Sequence, residues 1–188
     1  MKYICRLLWY IATRLIILSV VAGLLILAFY LSMDTSNIYL LLRDGMQQRA
    51  SVILTRKNAD TLTNYFTSDF LMNDETLRIG LSDQSPYVNY NVTGFTYQVS
   101  MESMWAWPWD STATATIVEK IPKINGKVKS GKSKQVESAN PPAWYGGRYV
   151  VTLKRISGQW KIAGLRQTQI IVEPTAEPTA SPIPAPVS

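Results

Sequence analysis

The chain has 188 residues, of which 47% are hydrophobic and only 17% charged, with a formal net charge of +6. Soluble domains carry about a quarter charged residues, so a membrane segment is the first explanation of the deficit. There is no histidine, and Cys5 is the single cysteine. This composition excludes an internal disulfide and a cysteine-built metal site, and it removes the commonest general base. No cofactor and no metal are implied.

The length suits one domain with appendages. Residues 15–31, LIILSVVAGLLILAFYL, carry no charge. With Ser32 and Met33 they approach the roughly 20 residues needed to cross a ~30 Å hydrocarbon layer at ~1.5 Å rise each. Lys2, Arg6 and Arg14 precede the run and Asp34 follows it. That asymmetry keeps the N-terminus in the cytoplasm and exports the remainder. A cleaved signal peptide has the same charge order but an apolar region of only about 7 to 15 residues and a small-x-small site. The segment FYLSMDTS offers no good site of that kind, so an uncleaved single-pass anchor in the cell membrane is the expectation. The expected organisation is a cytoplasmic leader over 1–14, a transmembrane helix over 15–33, an extracytoplasmic domain over 34–173 and a Pro-rich tail over 174–188.

Beyond Asp34, Thr35 or Ser36 is placed to cap a new helix. Ile38, Leu42, Met46, Ala50 and Ile53 then recur at helical steps and predict one apolar face. Ala59, Leu62, Phe66 and Phe70 predict a shorter second helix, and residues 73–82 a third. From Pro86 the composition turns to tyrosine, valine, threonine and tryptophan, which suit a pleated sheet. Strands are predicted over 88–107, 112–122, 148–156 and 160–172, with Ser157, Gly158 and Gln159 joining the last two as an antiparallel hairpin. Glycines, serines and paired prolines between the second and third strands predict a long loop.

The expected fold class is therefore α+β, with two or three helices packed on a curved antiparallel sheet behind a transmembrane helix. The segment NADTLTNYFTSDF, residues 58–70, resembles the second helix of the NTF2-like superfamily. The segment YVVTLKRISGQWKI, residues 149–162, is similar to that family's closing hairpin. An anchor followed by such a domain also looks like conjugation-channel components of the VirB8 and TcpC type. The resemblance implies an NTF2-like cone. It also implies a role in assembly with other envelope proteins or in self-association, rather than chemistry.

Some NTF2-like domains are enzymes, and a small-ligand-binding or isomerase- or dehydratase-like cone is the alternative function. Asp69, Tyr65 and Asp110 are the residues to inspect for a pocket acid or phenol. Trp105, Trp107 and Trp109 fall at alternate positions and would leave one face of a strand together. They either cover the helices in the core or form an aromatic platform for a partner chain, lipid headgroups or a sugar. Lys120, Lys123, Lys127, Lys129, Lys132 and Lys134 cluster within fifteen residues. They form either a solvated hairpin tip or an anion-binding loop for phosphate-rich polymers or an anionic membrane surface. Nucleic acid is not an expected partner, because the basic run lacks interleaved aromatics and the domain is exported.

Overall fold

The computed structural model describes residues 2–107 and 109–171. Its first element is one uninterrupted helix, α1, Lys2–Thr55, which is about 80 Å long at ~1.5 Å per residue. No break falls at Asp34. The Thr35 hydroxyl donates back to the Leu31 carbonyl at 2.8 Å, so Thr35 sits inside the helix and caps nothing. The side chain that could have ended one helix and begun another instead bonds to the preceding turn.

The two halves of α1 meet different surroundings. In the first, Leu15, Ile16, Leu18, Leu24, Leu25 and Phe29 are exposed and touch no other part of the fold's core. In the second, Ile38, Leu42, Met46, Ala50 and Ile53 are all buried, as their spacing predicts. They lie against a four-stranded antiparallel sheet of order β1-β2-β3-β4, formed by β1 Tyr90–Trp105, β2 Thr112–Val128, β3 Gly146–Ile156 and β4 Gln159–Ile171. The class is α+β. Ala113, Ala115 and Ile117 of β2, Val151 and Leu153 of β3, and Trp160 and Ile162 of β4 complete the main core. At the sheet end near Thr55, a smaller cluster joins Ala50 and Leu54 to Tyr87, Tyr90, Val92 and Ile121.

The predicted second helix is broken. Asp60–Asn64 forms a 3-10 turn and only Ser68–Asn73 is α-helical, α2. Between them the backbone pairs with β4 in parallel fashion: the Ile162 N–H donates to the Tyr65 carbonyl and the Thr67 N–H to the Ile162 carbonyl. Residues 65–67 are thus drawn into a bridge that a helix could not make. Thr67 then caps α2 and Asp74 caps α3, Glu75–Leu81.

Strand β2 runs six residues past Pro122, through sequence expected to be loop. The ladder tolerates the proline because Gln98 pairs with Lys120 and Thr96 with Lys123, leaving Ile121 and Pro122 opposite Tyr97 alone. That bulge asks no ladder hydrogen bond of the proline and bends the strand. Two further register shifts lie in β1, at 92/94 and at 101/103. Strands β3 and β4 are joined as expected by a tight turn at Ser157 and Gly158, both with positive φ, 50° and 81°, which matches a two-residue hairpin loop. Pro108, which follows the predicted 88–107 strand, and the Pro-rich tail over 174–188 lie outside the described residues.

Candidate functional site

A cleft of about 710 Å3 opens between α3, the end of α1, the segment 142–145 and the outer end of β4. This is within the range of roughly 300–1,000 Å3 usual for small-ligand sites. Its walls are aromatic, with Phe70, Tyr87, Trp144 and Tyr149, and its charged floor is Arg49 and Asp74. Arg49 occupies the flank of the buried face of α1, one turn after Met46. Asp74 is held at the start of α3.

The two are joined in a fork: Arg49 Nε donates to Asp74 Oδ2 at 2.6 Å and Arg49 Nη2 to Oδ1 at 2.9 Å. Asp74 Oδ1 also accepts the Leu77 N–H at 3.1 Å, closing the first turn of α3. Both residues are buried. Burial alone would lower the Arg49 pKa, but the hydrogen bonds and charge of Asp74 outweigh it and raise the value.

Behind this pair lies Glu119, fully buried on β2. Neither carboxylate oxygen has a hydrogen-bond partner among the described residues. Burial pushes its pKa up to about 7, while the Arg49 charge and the nearby Tyr97 hydroxyl resist the shift. Among the described residues the Tyr97 hydroxyl has no hydrogen-bond partner of full geometry, and its own pKa is raised, first by burial and then by Glu119. Tyr149 is pushed up to about 12 for the same two reasons. The set Arg49, Asp74, Glu119, Tyr97 and Tyr149 thus forms one electrostatic unit, with Glu119 sealed beneath the cleft.

Asp69, Tyr65 and Asp110 do not line the cleft. Asp69 is exposed in the first turn of α2, Tyr65 packs beside Gly45, and Asp110 lies in the β1–β2 turn, where its N–H donates to the Trp107 carbonyl at 3.1 Å. The signal that could have found Glu119 is its register: it follows Ala113, Ala115 and Ile117 at strict alternation on β2, an acid at a core-facing position.

The three tryptophans stand outside the core. β1 ends at Trp105, so only Trp105 leaves from a strand, and Trp107 and Trp109 belong to the turn into β2. They are 68%, 38% and 71% exposed. They pack on one another: Trp105 meets Trp107 edge-on at 5.5 Å, and Trp107 stacks on Trp109 at 5.1 Å. Of the lysines, Lys123 and Lys127 lie on β2, and Lys129, Lys132 and Lys134 in the segment after it. All five are exposed, and Lys129 Nζ donates to the Val88 carbonyl at 2.8 Å. They gather at the end of the sheet beside Ala50 and Leu54, roughly 30 Å along α1 from Asp34 at ~1.5 Å per residue. Comparison of the chain with family models, curated proteins and solved structures found no match.

Proposed function

We propose that this chain is a single-pass, membrane-anchored binding module whose extracytoplasmic domain assembles with other envelope components. The observation that carries the reading is the first half of α1. It is long and apolar enough to cross a membrane, and among the described residues no other part of the fold covers it. Leu15, Ile16, Leu18, Leu24, Leu25 and Phe29 leave large apolar side chains bare, and hydrocarbon is the solvent that suits them. Lys2, Arg6 and Arg14 before the run and Asp34 after it orient the helix with its N-terminus in the cytoplasm.

The bulged antiparallel sheet laid on a long helix supports the NTF2-like reading of the domain. A non-enzymatic role is supported by the chemistry of the cleft. Arg49 and Asp74 neutralise each other, and Glu119, whose raised pKa would suit proton transfer, has no exposed surface from which to reach a substrate. The tether confines the domain to the membrane surface and raises its effective concentration for neighbours there. The size and aromatic walls of the cleft favour one second reading, a small apolar ligand held between Trp144 and Tyr87.

Tyr145, at the cleft rim and 65% exposed, is the position for the test. A photoreactive phenylalanine in its place, irradiated in native membranes, should yield a protein adduct of defined mass. A small-molecule adduct supports the second reading, and irradiation with no adduct contradicts both.

A further inference from the structure

The continuous α1 and the hydrogen bonds at its middle fix which end of the sheet faces the membrane. Asp34 follows directly on residues 15–33, and its carboxylate accepts Arg155 Nη2 at 2.8 Å and Trp160 Nε1 at 3.4 Å. Arg155 in turn donates its backbone N–H to the Ser111 carbonyl at 2.7 Å, and Lys154 pairs with Thr112. The β1–β2 turn, with its three tryptophans, therefore stands beside the β3–β4 turn at the level where α1 leaves its apolar half. The lysine-rich end of the sheet lies at the opposite pole.

We propose that Trp105, Trp107 and Trp109 form a docking tip that enters the headgroup region of the same membrane that holds α1. The inference rests on the anchored reading above and assigns the tip one neighbour, the lipid surface. Indole suits that boundary because its ring is apolar while its N–H still finds acceptors among headgroups and water. Ile156, 44% exposed at the end of β3 beside the adjoining turn, extends the apolar surface. The exposed Phe29 and Tyr30 mark the same boundary on α1. Lys154, exposed across from Thr112, adds a cation that anionic headgroups would attract. Two contacts with the bilayer, helix and tip, would stop the domain from turning freely about its tether and present the cleft in a constant direction.

The full chain with Trp9→Phe, which removes the tryptophan of α1, is reconstituted into vesicles of phosphatidylcholine and phosphatidylglycerol, with and without bromine on the upper acyl carbons. Flotation first reports whether the chain is held by the membrane. Bromolipid should then quench tryptophan emission by about half, and adding W105A, W107A and W109A should abolish most of that quenching while flotation persists. Floating protein with unquenched emission, or equal quenching in both variants, would overturn the tip and leave the anchor standing. Protein that does not float would overturn the anchor itself. A second measurement is independent of the triple variant's folding: a nitroxide on Ser111→Cys in a Cys5→Ser background should collide with lipid-soluble oxygen several-fold more than with a water-soluble nickel chelate. The reverse ratio would contradict the tip.

Discussion

Asp34 and Arg155, separated by 121 residues in sequence, meet at 2.8 Å where the apolar half of α1 ends. The guanidinium also lies over the Trp160 ring, 4.4 Å from its centroid. The contact clamps the β3–β4 hairpin to the helix. Both side chains are mostly screened from solvent, which places the pair above the usual worth of a surface ion pair. Asp34→Ala should lower stability by about 1 kcal/mol, as chemical denaturation in micelles would report. An unchanged midpoint would mean that the clamp contributes nothing.

The Arg49–Asp74 fork is a stronger constraint because both partners are buried. Removing one member leaves the other as an uncompensated charge, which typically costs about 3–5 kcal/mol. Arg49→Met should therefore be severely destabilising although methionine fills much of the same space. Asp74→Ala should lose both the ion pair and the cap of α3, and hydrogen exchange over Glu75–Leu81 should accelerate most.

Glu119 makes stability depend on pH in the direction opposite to that of a salt-bridged carboxylate. Its pKa rises from the ordinary 4.5 to about 7 in the folded chain. Between those values the folded chain keeps a proton that the unfolded chain has released, so this group's contribution is fully present below about pH 4.5 and is lost as pH rises through 7. At about 1.4 kcal/mol per unit, the loss is on the order of 3 kcal/mol. Glu119→Gln, which cannot ionise, should flatten that slope and gain on the wild type as pH rises from 5 to 8. Parallel curves for the two proteins would show that Glu119 titrates normally.

Gly80 of α3 lies against Ile53 of α1 so closely that a Cβ there would stand 2.7 Å from Ile53 Cγ2. Gly80→Ala should thus destabilise by roughly 1–3 kcal/mol despite alanine's better helix propensity. Adding Ile53→Ala should recover part of that loss in a double-mutant cycle, because it deletes the Cγ2 and Cγ1 atoms in the way. Additive effects would remove the close contact as the cause.

Periodicity made much of the fold legible. The apolar face from Ile38 to Ile53 is buried at every predicted position, and Ser157 and Gly158 turn the final hairpin. The change from helix to strand after Pro86 also holds, β1 beginning at Tyr90. What local sequence could not show was decided by partners distant in the chain. Thr35 and Ser36 have capping chemistry, yet the Asp34–Arg155 clamp and the core below it hold that turn helical. Residues 65–67 have helical spacing but are captured by β4. Pro122 looks like a strand end until Tyr97 supplies the opposite side of a bulge. Around the cleft, Arg49 of α1, the α3 cap Asp74 and Glu119 of β2, buried beneath, come from three separate parts of the chain, so their meeting is a property of the fold and not of any motif. The tryptophans had two open readings, and the ending of β1 at Trp105 puts them outside the core.

The central claim, that residues 15–33 anchor the domain to a membrane, is tested most directly by protease protection of sealed membrane vesicles, with alkali extraction of a parallel sample, followed by mass measurement of the retained chain. The domain should be accessible only from the extracytoplasmic side, and the membrane-bound species should still contain residues 15–31. A soluble product whose N-terminus maps near Ser32 would contradict the anchor and make the apolar helix a cleaved signal.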